Sequence, residues 1–269
     1  KFKTVTTVIN PPVIMKKLED IEKSEPSGNA EMQWVSDAIA EMLRKLDLKY
    51  IAMNPGASYR GLHDSLVNYL GNRNPQMLLC LHEDHVVAIA HGYARVTDKP
   101  MGAIVHSNVG LMHGLLQIFN AWCGRVPIFL MGATGPVDAA ERRPWVDWVH
   151  TAQDQGALLR HYTKWDDQPA SVEATFEAML RANQICRTAP QGPTYVCLDA
   201  GIQELPLDAD TVLPDPARYQ PGPLPEPGAD TLADLTNMLM AAERPLFLMG
   251  RVSRNQEDWD RRIRLAEAL

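Results

Sequence analysis

The chain has 269 residues, 45% of them hydrophobic and 22% charged, a composition that fits a soluble globular protein of one or two domains. Its 26 Lys and Arg stand against 33 Asp and Glu, a formal charge of -7, and no stretch joins basic residues to aromatics, so nucleic acid is not an expected partner. No apolar run nears the roughly 18 residues that span a membrane, and Pro11 and Pro12 interrupt the N-terminal segment; the expected setting is the cytoplasm, with no signal peptide and no membrane partner.

A charged extension, residues 1–30, precedes an alternation of helical and short apolar segments that predicts a parallel α/β sheet. Residues 31–47 set Trp34, Ala38, Ile39, Met42, Leu43 and Leu46 on one helical stripe, and Tyr50 to Met53 reads as a strand ended by the turn Asn54-Pro55-Gly56. Leu62, Leu66 and Leu70 mark a second helix, and Met77 to Leu81 the next strand. A helix from Glu83 to about Arg95, a strand Gly102 to His106, a helix Leu111 to Trp122 and a strand Pro127 to Met131 follow. After a Trp-rich loop around Trp145 and Trp148 come a helix, Val172 to Cys186, with Phe176, Met179 and Leu180 facing inward, and a strand, Thr194 to Leu198. The fold class is therefore α/β, a doubly wound parallel sheet over residues 31–203.

Pro206, Pro214, Pro216, Pro221, Pro223, Pro225 and Pro227 exclude helix and central strand, which makes residues 204–230 a linker. Beyond it, a helix with Leu232, Leu235, Met238 and Leu239, a strand Leu246 to Met249 and a last helix begin a second α/β domain over residues 231–269. A piece of about 40 residues with one strand cannot bury its own core, so the chain is expected to be part of something longer. Cys80, Cys123, Cys186 and Cys197 form no CxxC pair and read as reduced core thiols.

Ligands of open α/β sheets gather at the carboxyl ends of the strands. Here those ends carry Asn54-Pro55-Gly56-Ala57-Ser58, His82-Glu83-Asp84-His85, His106-Ser107-Asn108-Val109-Gly110 and Gly132-Ala133-Thr134-Gly135-Pro136. Glu83 stands out, because an apolar strand delivers it to a helix whose flank, Val86, Val87, Ile89 and Ala90, is also apolar. Its alternative role is to stabilise the helix dipole from the first turn. His82 and His85 lack an accompanying ligand pair, so no metal ligands are assigned; His106 is either a working or a structural histidine, and Gly56 and Gly110 are turn formers. No GxGxxG follows the first strand and no GxxxxGK[ST] occurs, which weakens dinucleotide and P-loop readings.

Taken in order, Asn54-Pro55-Gly56, His82-Glu83, Ala90-His91-Gly92-Tyr93-Ala94-Arg95, His106-Ser107, Asn120-Ala121-Trp122, Thr163-Lys164-Trp165 and Gln191-Gly192-Pro193-Thr194-Tyr195 resemble the pyrimidine-binding domain of the thiamine-diphosphate-dependent acetolactate synthase, pyruvate decarboxylase and benzoylformate decarboxylase family. The resemblance covers about residues 31 to 200 and is strongest to the benzoylformate decarboxylase type, through the Asn-Pro-Gly turn and the pair His106-Ser107. It extends more weakly to Arg244-Pro245-Leu246-Phe247-Leu248-Met249-Gly250, which looks like the first strand of that family's central domain. Ala57 replaces a substrate-contacting serine of that type, and Val109-Gly110-Leu111-Met112-His113 replaces a loop of small residues.

The resemblance implies a decarboxylase or carboligase acting on a 2-oxo acid. Glu83 would hydrogen-bond N1′ of the cofactor's aminopyrimidine, His106 would exchange a proton with the substrate oxygen, and Asn54, Pro55, Gly56 and Ala57 would wall the pyrimidine and substrate. It further implies thiamine diphosphate, Mg2+ held by a Gly-Asp-Gly and Asn-Asn pair absent from this sequence, FAD as an option, and a homodimer or homotetramer. Two alternatives remain open at this point: a non-catalytic or separately encoded subunit that completes a partner's site, and a nucleotide-binding α/β module.

Overall fold

The computed structural model describes residues 31–269. Among them six strands form one parallel sheet, β1 (Tyr50–Met53), β2 (Gln76–Leu79), β3 (Met101–Ile104), β4 (Ile128–Thr134), β5 (Asp166–Asp167) and β6 (Thr194–Asp199), in the order β2-β1-β3-β4-β6-β5. The helices are α1 (Val35–Lys45), α2 (Arg60–Asp64), α3 (Glu83–Thr97), α4 (Ser107–Gly124), α5 (Val146–His150), α6 (Val172–Arg187), α7 (Ala200–Gln203), α8 (Ala229–Ala241) and α9 (Gln256–Ala268). No described helix is long and apolar enough to cross a membrane.

Ala52 of β1 registers with Leu78 of β2 on one side and Ala103 of β3 on the other, so the order of winding reverses at the β1–β3 pair. Loops leaving the two strands diverge there, and this opens a crevice at their carboxyl ends. Alternation along β1 feeds both faces. Ile51 and Met53 join Ile39, Met42, Leu43, Leu62, Leu66, Phe176 and Met179 in one core, whereas Ala52 joins Val86, Val87, Ala90, Leu111, Ile118 and Ala121 in the other. Burying each large aliphatic side chain in such a layer contributes about 1.5–3 kcal/mol. β3, β4 and β6 are buried along their whole length, as strands covered on both faces must be.

The structure corrects several expected boundaries. Trp34 caps α1 and is 45% exposed rather than lying on its buried stripe. β3 stops at Ile104, and α4 begins at Ser107 instead of Leu111, so His106 caps a helix rather than ending a strand. Ser107 takes a left-handed φ of 49°, which breaks the extended run. The Trp-rich loop contains α5, and the short edge strand β5 lies beyond β6. Cys80, Cys186 and Cys197 are buried free thiols, the last two pushed up to about 12 by burial, but Cys123 is exposed.

Leu246 to Met249 is not a strand, because no described strand lies beside it to complete its ladder. Residues 205 and 207, expected to begin a linker, pair back onto the start of α1 and the segment before it, Val35 N donating to Leu205 O at 3.0 Å and Leu207 N to Gln33 O at 2.9 Å. α8 and α9 bury no residue. Residues 1–30, read above as an extension, lie outside the described residues.

Candidate cofactor and active site

Three strand ends at the reversal deliver the expected residues. β1 leads into Asn54, whose N–H donates to Ile104 O at 3.3 Å and ties the turn to β3. Asn54 and Gly56 are half-buried, and Pro55 and Ala57 are exposed. β2 leads through His82 to Glu83, the first residue of α3, and β3 leads to His106, the cap of α4.

Glu83 is nearly buried. Its side chain is 12% exposed, and Oε2 lies 2.9 Å from Nδ1 of His113, in the second turn of α4. Two glycines let α4 come this close. A Cβ on Gly110 would sit 2.6 Å from Glu83 Oε1, inside contact distance, and one on Gly114 would press on Val87 Cγ2 at 3.3 Å. Oε1 has no hydrogen bond among the described residues and rests against bare backbone. His82 stacks edge-on with both His113 and His85, with ring centroids 5.6 and 5.3 Å apart. Among the described residues no group of three or more His, Cys, Asp or Glu side chains is placed to hold a metal ion.

His106 is half-buried and packed against other rings. Ser58 Oγ is 3.2 Å from its Nδ1, Tyr59 meets its ring edge-on at 6.1 Å, and the His150 ring lies at 4.7 Å. Burial, reinforced by the charge on His150, lowers its pKa below the usual histidine value, while Glu83 pulls the other way. A Cβ on Gly56 would overlap the His106 ring at 2.1 Å, so only glycine fits that turn. α5 is pinned by Asp147, which Arg143 holds bidentately at 2.8 and 3.0 Å and keeps below the usual carboxylate range. It is locked to α4 by Ser107 Oγ donating to His150 O at 2.7 Å and Asn108 Nδ2 donating to Val149 O at 3.2 Å.

Tyr59 backs His106. Its hydroxyl is buried with no partner, and burial, helped by the Glu83 charge, pushes it well above the usual tyrosine range. A carboxylate oxygen without a hydrogen bond, beside a backbone stripped of side chains, is what a polar heteroaromatic ring requires of its cradle. The family described as thiamine pyrophosphate enzyme, N-terminal TPP binding domain, matches residues 33–165. This chain carries a domain of the thiamine-diphosphate enzyme superfamily.

Within that superfamily the chain is 26% identical over 223 residues to a benzoylformate decarboxylase of Pseudomonas aeruginosa, covering 81% of this chain and 39% of that protein. It is 24% identical over 236 residues to an acetolactate synthase large subunit of Lactococcus lactis, covering 87% and 38%. A thiamine diphosphate-dependent 4-hydroxybenzoylformate decarboxylase of Rhodococcus jostii shares its fold at a TM-score of 0.62 and 20% identity, over 79% of this chain and 38% of that one. The chain thus spans about two fifths of the length of the relatives it matches.

Of the residues expected from the sequence, the pyrimidine-binding domain brings Gly56 and His106 into contact and sets Glu83 where its charge acts on His106. Ser58, not Ala57, carries the hydroxyl that reaches His106. Tyr59, His113 and His150 escaped the sequence reading. Only the spacing Gly110-x-x-His113-Gly114, which sets the three on one helical face, hinted that His113 looks at α3.

Proposed function

We propose that this chain supplies the pyrimidine-side half of the active site of a thiamine-diphosphate-dependent decarboxylase or carboligase acting on a 2-oxo acid, with Glu83 as its cofactor-activating carboxylate. One arrangement carries the reading: a carboxylate 12% exposed at the start of α3, one oxygen held by His113 and the other beside Gly110. When bound, thiamine diphosphate supplies a carbon nucleophile and an electron sink. Glu83 shares one proton with N1′ of the pyrimidine, a task suited to a carboxylate that is shielded enough to keep the bond strong. Asn54, Pro55, Gly56 and Ala57 form the wall, backed by Tyr59 packed against His106.

His106, held neutral by burial near pH 7, takes a proton from the substrate oxygen or returns one to it. Ser58 and His150 fix its ring. The diphosphate and its Mg2+ are held outside residues 31–269. Beside Glu83, α3 and α4 expose Ile89, Met112, Leu116 and Phe119, apolar area that supports a second copy covering this face in a homodimer or homotetramer.

The test is Glu83→Gln in the complete, cofactor-loaded protein. Exchange of the thiazolium C2 proton for deuterium should slow by ~10²–10⁴, the usual worth of a positioned acid or base, while cofactor docking survives. A purely helix-dipole role instead costs about 0.3–1 kcal/mol of stability and leaves exchange unchanged, which would overturn the reading.

A further inference from the structure

The contact between Glu83 and His113 has a consequence for the chemistry. An ionised carboxylate only accepts hydrogen bonds, so the imidazole nitrogen 2.9 Å from Oε2 must carry the proton, and the neutral ring is thereby fixed as the Nδ1–H tautomer. Oε2 is then engaged. Oε1 is the oxygen left to act, confined on one side by Gly110. The ring is not free to swing, since His82 packs edge-on against it, itself against His85, and Gly110 and Gly114 hold this face of α4 onto α3.

We propose that His113 is a positioning residue: its Nδ1–H binds Oε2 of Glu83, locks the carboxylate rotamer and presents Oε1 alone to the pyrimidine. The proposal rests on the reading of Glu83 as the cofactor-activating carboxylate. His113 touches neither cofactor nor substrate and acts only through Glu83. Without it the carboxylate can rotate about its last bonds, and the oxygen that must meet N1′ is no longer fixed. A misplacement of about 1 Å in a reacting group costs on the order of 10² in rate.

Two measurements test this, one without the cofactor. In the unloaded protein, 15N shifts of the His113 ring under mildly alkaline conditions should report the Nδ1–H form, and in Glu83→Ala they should move to the Nε2–H form that free imidazole side chains favour. Identical shifts in both proteins would overturn the proposal. In the complete, loaded protein, His113→Leu should slow C2-proton exchange by on the order of 10² at unchanged cofactor affinity, and His113→Asn, whose amide nitrogen can occupy the place of Nδ1, should restore most of it. Equal exchange in wild type and His113→Leu, or equal loss in the Leu and Asn variants, would overturn it. If Glu83→Gln exchanges at wild-type speed, the reading of Glu83 fails, whereas a failure confined to the His113 variants or the ring shifts leaves that reading standing.

Discussion

Glu83 and His106 follow the two strands that flank β1, yet their surroundings differ. Glu83, its side chain 12% exposed, has one oxygen held by a half-exposed histidine and the other against a glycine. His106 is enclosed by Ser58, Tyr59, His150 and the Gly56 turn, and burial keeps it in its neutral form. The two residues thus differ in their partners, a single histidine for Glu83 and a packed set of Ser58, Tyr59 and His150 for His106. On the proposed reading, Glu83 serves the cofactor's pyrimidine and His106 serves a substrate oxygen.

If that division holds, His106→Ala should lower turnover of the complete enzyme by ~10²–10⁴ while leaving cofactor affinity nearly unchanged. Steady-state kinetics beside titration calorimetry would decide it, and a matching loss of cofactor affinity would make His106 a structural residue. Gly110→Ala should act through Glu83. The new methyl would displace Glu83, so proton exchange at the cofactor should slow by on the order of 10².

The enclosed side should respond more weakly to a lost partner. Ser58→Ala removes the hydroxyl 3.2 Å from His106 Nδ1 and should cost about 0.5–1.5 kcal/mol in denaturant unfolding, with a several-fold loss of turnover. The smallest expected effect is on pH dependence. Because the folded pKa of His106 lies below its unfolded value, the unfolded chain binds the proton more readily. Stability from this residue is therefore present above the ordinary histidine value, ~6.5, and is lost as pH falls through the lower folded value. His91, pushed down by burial and by Arg95, contributes with the same sign, so the measurement is the difference between wild type and His106→Gln. A wild type no more acid-sensitive than the variant would show that His106 is not enclosed in solution.

Much of the sheet was legible because its strands are short apolar runs ended by turn residues; Tyr50–Met53 and Thr194 onward need no tertiary information. β5 was not, since Asp166–Asp167 is a two-residue edge strand paired on one side only, and two acids read as loop. Leu246 to Met249 misled in the opposite direction: four apolar residues resemble a strand whether or not a neighbour exists to pair with them. Glu83 and His106 were legible by position, each just past an apolar strand. His113 and Tyr59 were not, because α4 and the turn before α2 bring them near Glu83 across 30 and 24 residues of sequence, and only packing reveals that proximity.

The division of labour is tested most directly by following C2-proton exchange in two variants of the complete, cofactor-loaded protein without substrate, Glu83→Gln and His106→Ala. Exchange needs only the carboxylate that faces the pyrimidine, so it should slow sharply in Glu83→Gln and remain near wild type in His106→Ala. Wild-type exchange in Glu83→Gln, or equal slowing in both, would contradict the assignment of Glu83 as the residue that activates the cofactor.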